Sequence, residues 1–150
     1  MARVSTVAVV SGYFNPLHVG HLRLLEAARD GAARLIVIVN NDEQQRAKKG
    51  LLLTPEDQRL RLVLALRAVD EGFVAVDTGP GVGESLLRVR ERNPEATILF
   101  CNGGDRRGVD DVPEHERRSC VAAGIEMRFG VGGADKADSS SRIITALLPD

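Results

Sequence analysis

The stretch TVAVVSGYFNPLHVGHLRLLEAARDG, residues 6–31, holds a complete strand–loop–helix unit. Residues 6–11 are a short, β-branched apolar run without alternation, the pattern of a strand covered on both faces. Gly12 ends that run. Over residues 19–30, Leu22, Leu25 and Ala28 return at helical spacing, and Gly31 stops the helix. A buried strand that feeds a helix through a short loop is the first half of a parallel crossover.

The same rhythm continues along the chain. Further apolar strands are expected at 34–40, 72–77, 96–101 and 125–130. Helices are expected after Thr54, at 83–92, 113–123 and 139–148. Thr54 reads as an N-cap with Pro55 at the first helical position and acids in the first turn. Leu60, Val63, Leu64 and Leu66 supply that helix's apolar face. Asn93-Pro94 ends the helix at 83–92, and Gly124 the next one. Strand and helix therefore alternate throughout. This implies one α/β domain over residues 1–150: a doubly wound, Rossmann-like fold with a five-stranded parallel sheet and helices on both faces. Such sheets bind ligands beyond the carboxyl ends of their strands, where strand order reverses. The loops to inspect are then 12–18, 40–54, 77–83, 102–112 and 130–141.

Composition narrows the function. The chain carries 20 Lys plus Arg against 21 Asp plus Glu, so it has no general basic surface for nucleic acid or an anionic membrane. Aromatic residues make up 3%, too few for a base-stacking platform. The N-terminal apolar run is too short to span a bilayer, and no cleavage site follows it. Cys101 and Cys120 fit no metal-binding spacing and read as reduced thiols of a cytoplasmic protein.

The loop after the first strand is the richest in chemistry. Gly12-Tyr13-Phe14-Asn15-Pro16-Leu17-His18-Val19-Gly20-His21 joins a buried strand to a helix whose first turn holds His21. Helix N-termini present free N–H groups and favour anions. Gly20 keeps a side chain away from the point where a phosphate approaches the backbone. Two imidazoles there are able to donate hydrogen bonds to one phosphate. On a plainer reading, His18 caps the turn and His21 is a partly buried helix residue. A zinc site is disfavoured, because two ligands fall short of the three or four zinc requires. His115 lies far off among charges that read as a solvated helix face. Two glycine-rich stretches are decoys. Gly79-Pro-Gly81-Val-Gly83-Glu84-Ser85 has Glu84 where a P-loop needs Lys. Residues 130–133 have the wrong spacing for a dinucleotide fingerprint.

Gly12-x-Phe14-Asn15-x-x-His18-x-Gly20-His21 resembles the His-x-Gly-His signature of the nucleotidylyltransferase superfamily. The likeness continues through Asn40-Asn-Asp, Lys49-Gly50, Glu56-Asp-Gln58-Arg59 and Ala68-Val69-Asp70. It is similar in that order to the cytidylyltransferase-like enzymes of glycerol phosphate and the adenylyltransferases of heptose phosphate. Gly103-Gly104-Asp105 resembles the heptose type. Ser139-Ser140-Ser141-Arg142 resembles the motif that holds the triphosphate. Together these pieces span roughly residues 7–147.

The resemblance implies transfer of CMP or AMP from CTP or ATP to a phosphorylated small-molecule acceptor, with release of pyrophosphate. It implies catalytic roles for His18, His21, Lys49 and Arg142. It implies nucleotide contacts from Gly12, Tyr13, Phe14, Asn15, Gly20, Gly103, Gly104, Asp105, Ser139, Ser140 and Ser141. Mg²⁺ would ride on the phosphates, with no metal site built from protein side chains, and small relatives suggest a homodimer. Lys48 and Lys49 both qualify as the mobile ammonium at the α-phosphate, and the Lys-Gly match favours Lys49. Arg59 and Asp70 are expected to be structural, in an ion pair or cap. Asp105 and Arg106 are open between base, ribose and acceptor. Gly-Gly-Asp favours a sugar or polyol phosphate, whereas Phe14-Asn15-Pro16 resembles the nicotinate and nicotinamide mononucleotide enzymes. A nicotinate/nicotinamide mononucleotide- or FMN-type adenylyltransferase and a nucleotide-binding sensor without turnover are the alternatives.

Overall fold

A computed structural model describes residues 5–48, 51–133 and 140–148. In chain order the elements are β1 (Thr6–Gly12), α1 (Val19–Asp30), β2 (Arg34–Val39), α2 (Asp42–Ala47), α3 (Glu56–Leu64), β3 (Glu71–Val74), α4 (Gly83–Arg92), β4 (Thr97–Cys101), α5 (Glu114–Ala123), β5 (Glu126–Arg128) and α6 (Ser140–Leu147). A 3-10 turn at Val109–Asp111 precedes α5. The five strands form one sheet in the order β3-β2-β1-β4-β5, and every pairing is parallel. The expected doubly wound architecture is the one observed.

Alternate residues of the central strands supply two cores. Val7, Val9, Ile36, Ile38, Ile98 and Phe100 face Leu86, Val89 and Cys120 of α4 and α5. Ala8, Val10, Leu35, Val37, Leu99 and Cys101 face Leu25 and Ala28 of α1 and Val63 of α3. Burial on both faces explains why these strands carry uninterrupted apolar runs. From β1 the chain winds outward to β2 and β3, then crosses back to β4 on the other side of β1. The carboxyl ends of β1 and β4 are thus the switch point, where a ligand crevice opens.

Two local expectations are corrected. Residues 42–47, read as part of a loop, form α2. Asn41 caps it, accepting from Gln44 N at 2.8 Å, while Gln44 Oε1 accepts from Asn41 N at 3.0 Å. This is a capping box built from Asn and Gln. Thr54 does not cap α3, which starts at Glu56 with Pro55 in the cap position and no side-chain cap. Thr54 is engaged elsewhere: its N–H donates to Asn15 Oδ1 at 3.2 Å and its carbonyl accepts from Arg59 Nε at 2.8 Å. Asp70 is structural, as expected. It pairs with Arg29 at 2.9 Å and accepts from Leu35 N at 2.8 Å, which ties α1 to β2. Among the described residues no helix is long and apolar enough to cross a membrane.

Leu25 is completely buried and anchors α1 to the sheet. Leu25→Ala is expected to lower unfolding stability by about 2–5 kcal/mol in a urea titration, with the m-value unchanged. A loss below about 1 kcal/mol would contradict the docking of α1.

Candidate active site

The loop from β1 to α1 is closed by its own histidines. His18 is the N-cap of α1, in extended conformation, and its Nδ1 accepts from Gly20 N at 3.0 Å. His21, three residues on, returns the contact: its Nδ1 accepts from His18 N at 3.2 Å. The pair is a capping box in which imidazoles replace the usual hydroxyl and carboxamide. An Nδ1 that accepts carries no proton, so each neutral ring bears its hydrogen on Nε2. The rings stack with centroids 3.8 Å apart. Phe14 meets the His21 ring edge-on at 4.8 Å. The plainer reading, with His18 as a cap, is therefore realised, and it orients both imidazoles.

The His21 pKa is lowered from 6.5 to about 3, by burial first and by His18 second, with the Asp105 carboxylate partly opposing both. His21 is thus a neutral donor at neutral pH. Among the described residues its Nε2 makes no hydrogen bond. The Gly20 N–H, by contrast, is already taken by His18.

Behind the histidines the loop is held by buried polar contacts. Phe14 adopts a positive φ of 51° and is buried. Its ring lies over Gly12, where a Cβ would stand 3.0 Å from Cζ. Asn15 is 1% exposed. Its Nδ2 donates to Leu51 O at 2.6 Å, and its Oδ1 accepts from Leu53 N at 2.9 Å as well as from Thr54 N. The position needs a donor and an acceptor together, which an amide supplies and a carboxylate does not. Asn15 is thereby placed as a clip for residues 51–54. Arg59 is buried and donates to Tyr13 O and Asn40 O, both at 2.7 Å, and to Thr54 O. It also pairs with Asp42 at 2.7 Å, the ion-pair role expected for it.

The loops after β4 and β5 complete the crevice. Gly103 packs on Leu24 of α1, and Gly132 comes so close to the backbone there that a Cβ would lie 3.1 Å from Leu24 Cα. Val131 N donates to Asn102 O at 3.0 Å, joining the two loops. Asp105 is exposed and acts electrostatically on His21, and Gly104 beside it is exposed. Tyr13, Phe14, His18, Gly20, His21, Gly103 and Asp105 are therefore gathered at the ends of β1 and β4. Lys48 places Nζ 4.3 Å from the centre of the Tyr13 ring. Lys49 and Ser139 lie outside the described residues. Ser140 and Ser141 open α6, and Arg142 is exposed in its first turn.

Three features escaped the sequence reading. Glu116 is 1% exposed and pairs with Arg106 at 3.1 Å. The signal was present, because Glu116, Ser119 and Cys120 share one buried face of α5 at helical spacing. Asp77 is buried and accepts from Glu84 N, Ser85 N and Ser85 Oγ, capping α4 from outside. His115 sits against Gly83, 3.7 Å from Asp77, so its helix face is only partly solvated. Among the described residues no group of three or more His, Cys, Asp or Glu comes together as a metal site.

Residues 9–127 match the profile of the cytidylyltransferase-like family. The FAD synthase of Methanoculleus marisnigri is 44% identical over 143 residues, covering 93% of this chain and 87% of that protein. The bifunctional protein HldE of Rhodopseudomonas palustris is 32% identical over 128 residues, covering 77% of this chain but 26% of that protein. The chain thus spans about a quarter of the length of that relative. Among solved structures, the lipopolysaccharide core biosynthesis protein of Thermoplasma volcanium shares the fold. It aligns with a TM-score of 0.62 and 19% identity, over 83% of this chain and 93% of that one.

Two outcomes are expected from this geometry. The folded chain keeps His21 neutral down to about pH 3, whereas the unfolded chain protonates it near 6.5. Between those values the unfolded state binds more protons, so stability rises with pH and is lost as pH falls through the window. Urea titrations from pH 7 to 4 check this; His21→Asn is expected to flatten the slope, and an unchanged slope contradicts the assignment. Asn15→Asp turns a carboxylate toward Leu51 O in a buried site and removes the donor. It is expected to cost about 1–3 kcal/mol or more at pH 7, read as a lower melting temperature.

Proposed function

The chain belongs to the cytidylyltransferase-like family, and from that premise we propose that it transfers a nucleotidyl group from ATP or CTP to a phosphorylated small molecule. An oxygen of the acceptor phosphate attacks the α-phosphorus, the bond to the bridging β-oxygen breaks, and pyrophosphate leaves. No covalent enzyme intermediate is required, so catalysis reduces to positioning and charge stabilisation. The observation that carries this reading is the reciprocal imidazole cap at the start of α1. Its contacts use both Nδ1 atoms, which leaves each neutral ring its hydrogen on Nε2, beside a helix N-terminus that favours anions.

In this reading His18 and His21 bind the α-phosphate and the bridging oxygen. Neutral imidazoles suit the task, since they donate hydrogen bonds without a proton that pH 7 would remove. Lys49 neutralises the same group, and Ser139, Ser140, Ser141 and Arg142 hold the β- and γ-phosphates. Mg²⁺ carried on the triphosphate supplies further charge neutralisation, as that ion prefers substrate oxygens to a protein cage.

The near-full-length likeness to an FAD synthase supports ATP with FMN as the first pair to assay. The Gly103-Gly104-Asp105 motif and the partial likeness to HldE support a sugar phosphate as the second.

The test is pyrophosphate release by the full chain with ATP or CTP and Mg²⁺, across FMN, sugar phosphates and glycerol 3-phosphate. Release with one acceptor supports the reading; nucleotide binding without release for any acceptor favours a sensor. His21→Asn keeps an acceptor where Nδ1 was and removes the Nε2 donor. It is expected to fold normally and to lose about 10²–10³ in kcat. Near-normal turnover would sink the mechanism.

A further inference from the structure

Arg106 follows the Gly-Gly-Asp stretch, yet its side chain does not join Asp105 at the imidazoles. Its Nη1 donates to Asn102 Oδ1 at 3.0 Å and pairs with Glu116 Oε2 at 3.1 Å. Both acceptors are buried. Asn102 sits just past β4, and its Nδ2 donates to Phe100 O and to Arg128 O at 3.1 Å, which leaves Oδ1 for Arg106. Glu116 is 1% exposed, with its stem against Gly81, where a Cβ would lie 3.1 Å from Glu116 Cγ. The two contacts occupy one nitrogen of the guanidinium. Its Nε and Nη2 make no hydrogen bond among the described residues, and 29% of the side chain is exposed.

The surroundings point to an anion. Tyr13, just past β1, feels the charges of both Glu116 and Arg106. Lys48 also stands over Tyr13, with Nζ 4.3 Å from the ring centre. Among the described residues Lys48 makes no ion pair. One cation from the β2 side and one from the β4 side thus flank the residue that leaves β1. Glu116 belongs to α5, which covers the sheet face opposite α1 and its histidines. Asp105 and Arg106 therefore straddle the crevice, one toward each side.

We propose that Arg106 binds the acceptor as a phosphomonoester dianion through its Nε–Nη2 edge, with Glu116 as the positioning residue that aims it. The inference rests on the nucleotidyl-transfer reading above. The edge presents two parallel donors, which match two phosphate oxygens in a fork. The buried carboxylate offsets one positive charge while no ligand is bound, and Lys48 adds the second charge that a dianion requires. Because the acceptor phosphate is itself the nucleophile, holding it also aims the attack at the α-phosphorus held across the crevice.

The test titrates inorganic phosphate, by calorimetry, into the full chain saturated with Mg²⁺ and α,β-methylene-ATP or α,β-methylene-CTP. Arg106→Gln is expected to weaken phosphate binding by about 10-fold or more, and Glu116→Gln by about 3–10-fold. The Kd for the analogue should change by less than about twofold. Arg106→Lys keeps the charge without the fork and should fall between wild type and Arg106→Gln. The inference is overturned if wild type binds no phosphate, if Arg106→Gln binds it as wild type does, or if analogue affinity falls in parallel. If neither analogue binds wild type, the nucleotidyl-transfer reading fails. Phosphate is then titrated into the unliganded chain: Arg106-dependent binding upholds the subsite, and Arg106-independent binding removes it.

Discussion

The reciprocal contact between His18 and His21 is the constraint on which the crevice depends. A helix start leaves N–H groups without partners, and here two imidazoles satisfy two of them. The same contacts fix ring orientation and tautomer, so local folding and chemistry share one set of hydrogen bonds. Burial then removes the charge from His21, with Phe14 against its edge. The support that holds this geometry is the first turn of α1 itself.

The loop before that helix is held as firmly by groups that never face the crevice. Arg59 gathers carbonyls from residues 13, 40 and 54, and so joins the ends of β1 and β2 to the start of α3. Asn15 does the same for residues 51–54. Buried charges and amides are costly unless fully paired, and both of these are paired within the loops they join. A reaction that proceeds by positioning demands this kind of rigidity, because a misplacement of about 1 Å costs about 10²-fold in rate.

Much of this was legible in the sequence. Uninterrupted β-branched runs announced strands buried on both faces, and the alternation with helical spacing led to the parallel sheet. The bounds of α1 were plain, because Leu25 and Ala28 mark its buried face and Gly31 its end, although Leu22, read as part of that face, is only half-buried. What escaped depends on contacts distant in sequence. Thr54 has the chemistry of a cap, but its backbone is held by Asn15 and Arg59, so α3 starts later. The helix at Asp42–Ala47 was hidden because Asn-x-x-Gln is a less familiar box than Ser-x-x-Glu. Glu116 looked like one more surface acid until α5 turned it inward toward Arg106. Asn15 is explained by the Leu51 carbonyl, distant in sequence, which only a donor satisfies.

The proposed transfer relies on two neutral imidazoles at the start of α1, each with its proton on Nε2. Long-range ¹⁵N–¹H correlation spectra of ¹⁵N-histidine-labelled protein at pH 7 read tautomer and charge at each ring directly. The account predicts Nε2–H tautomers for His18 and His21, with the Nε2 signal of His21 shifting when ATP or CTP is added with Mg²⁺. A cationic His21, a proton on Nδ1, or no response to either nucleotide would contradict it.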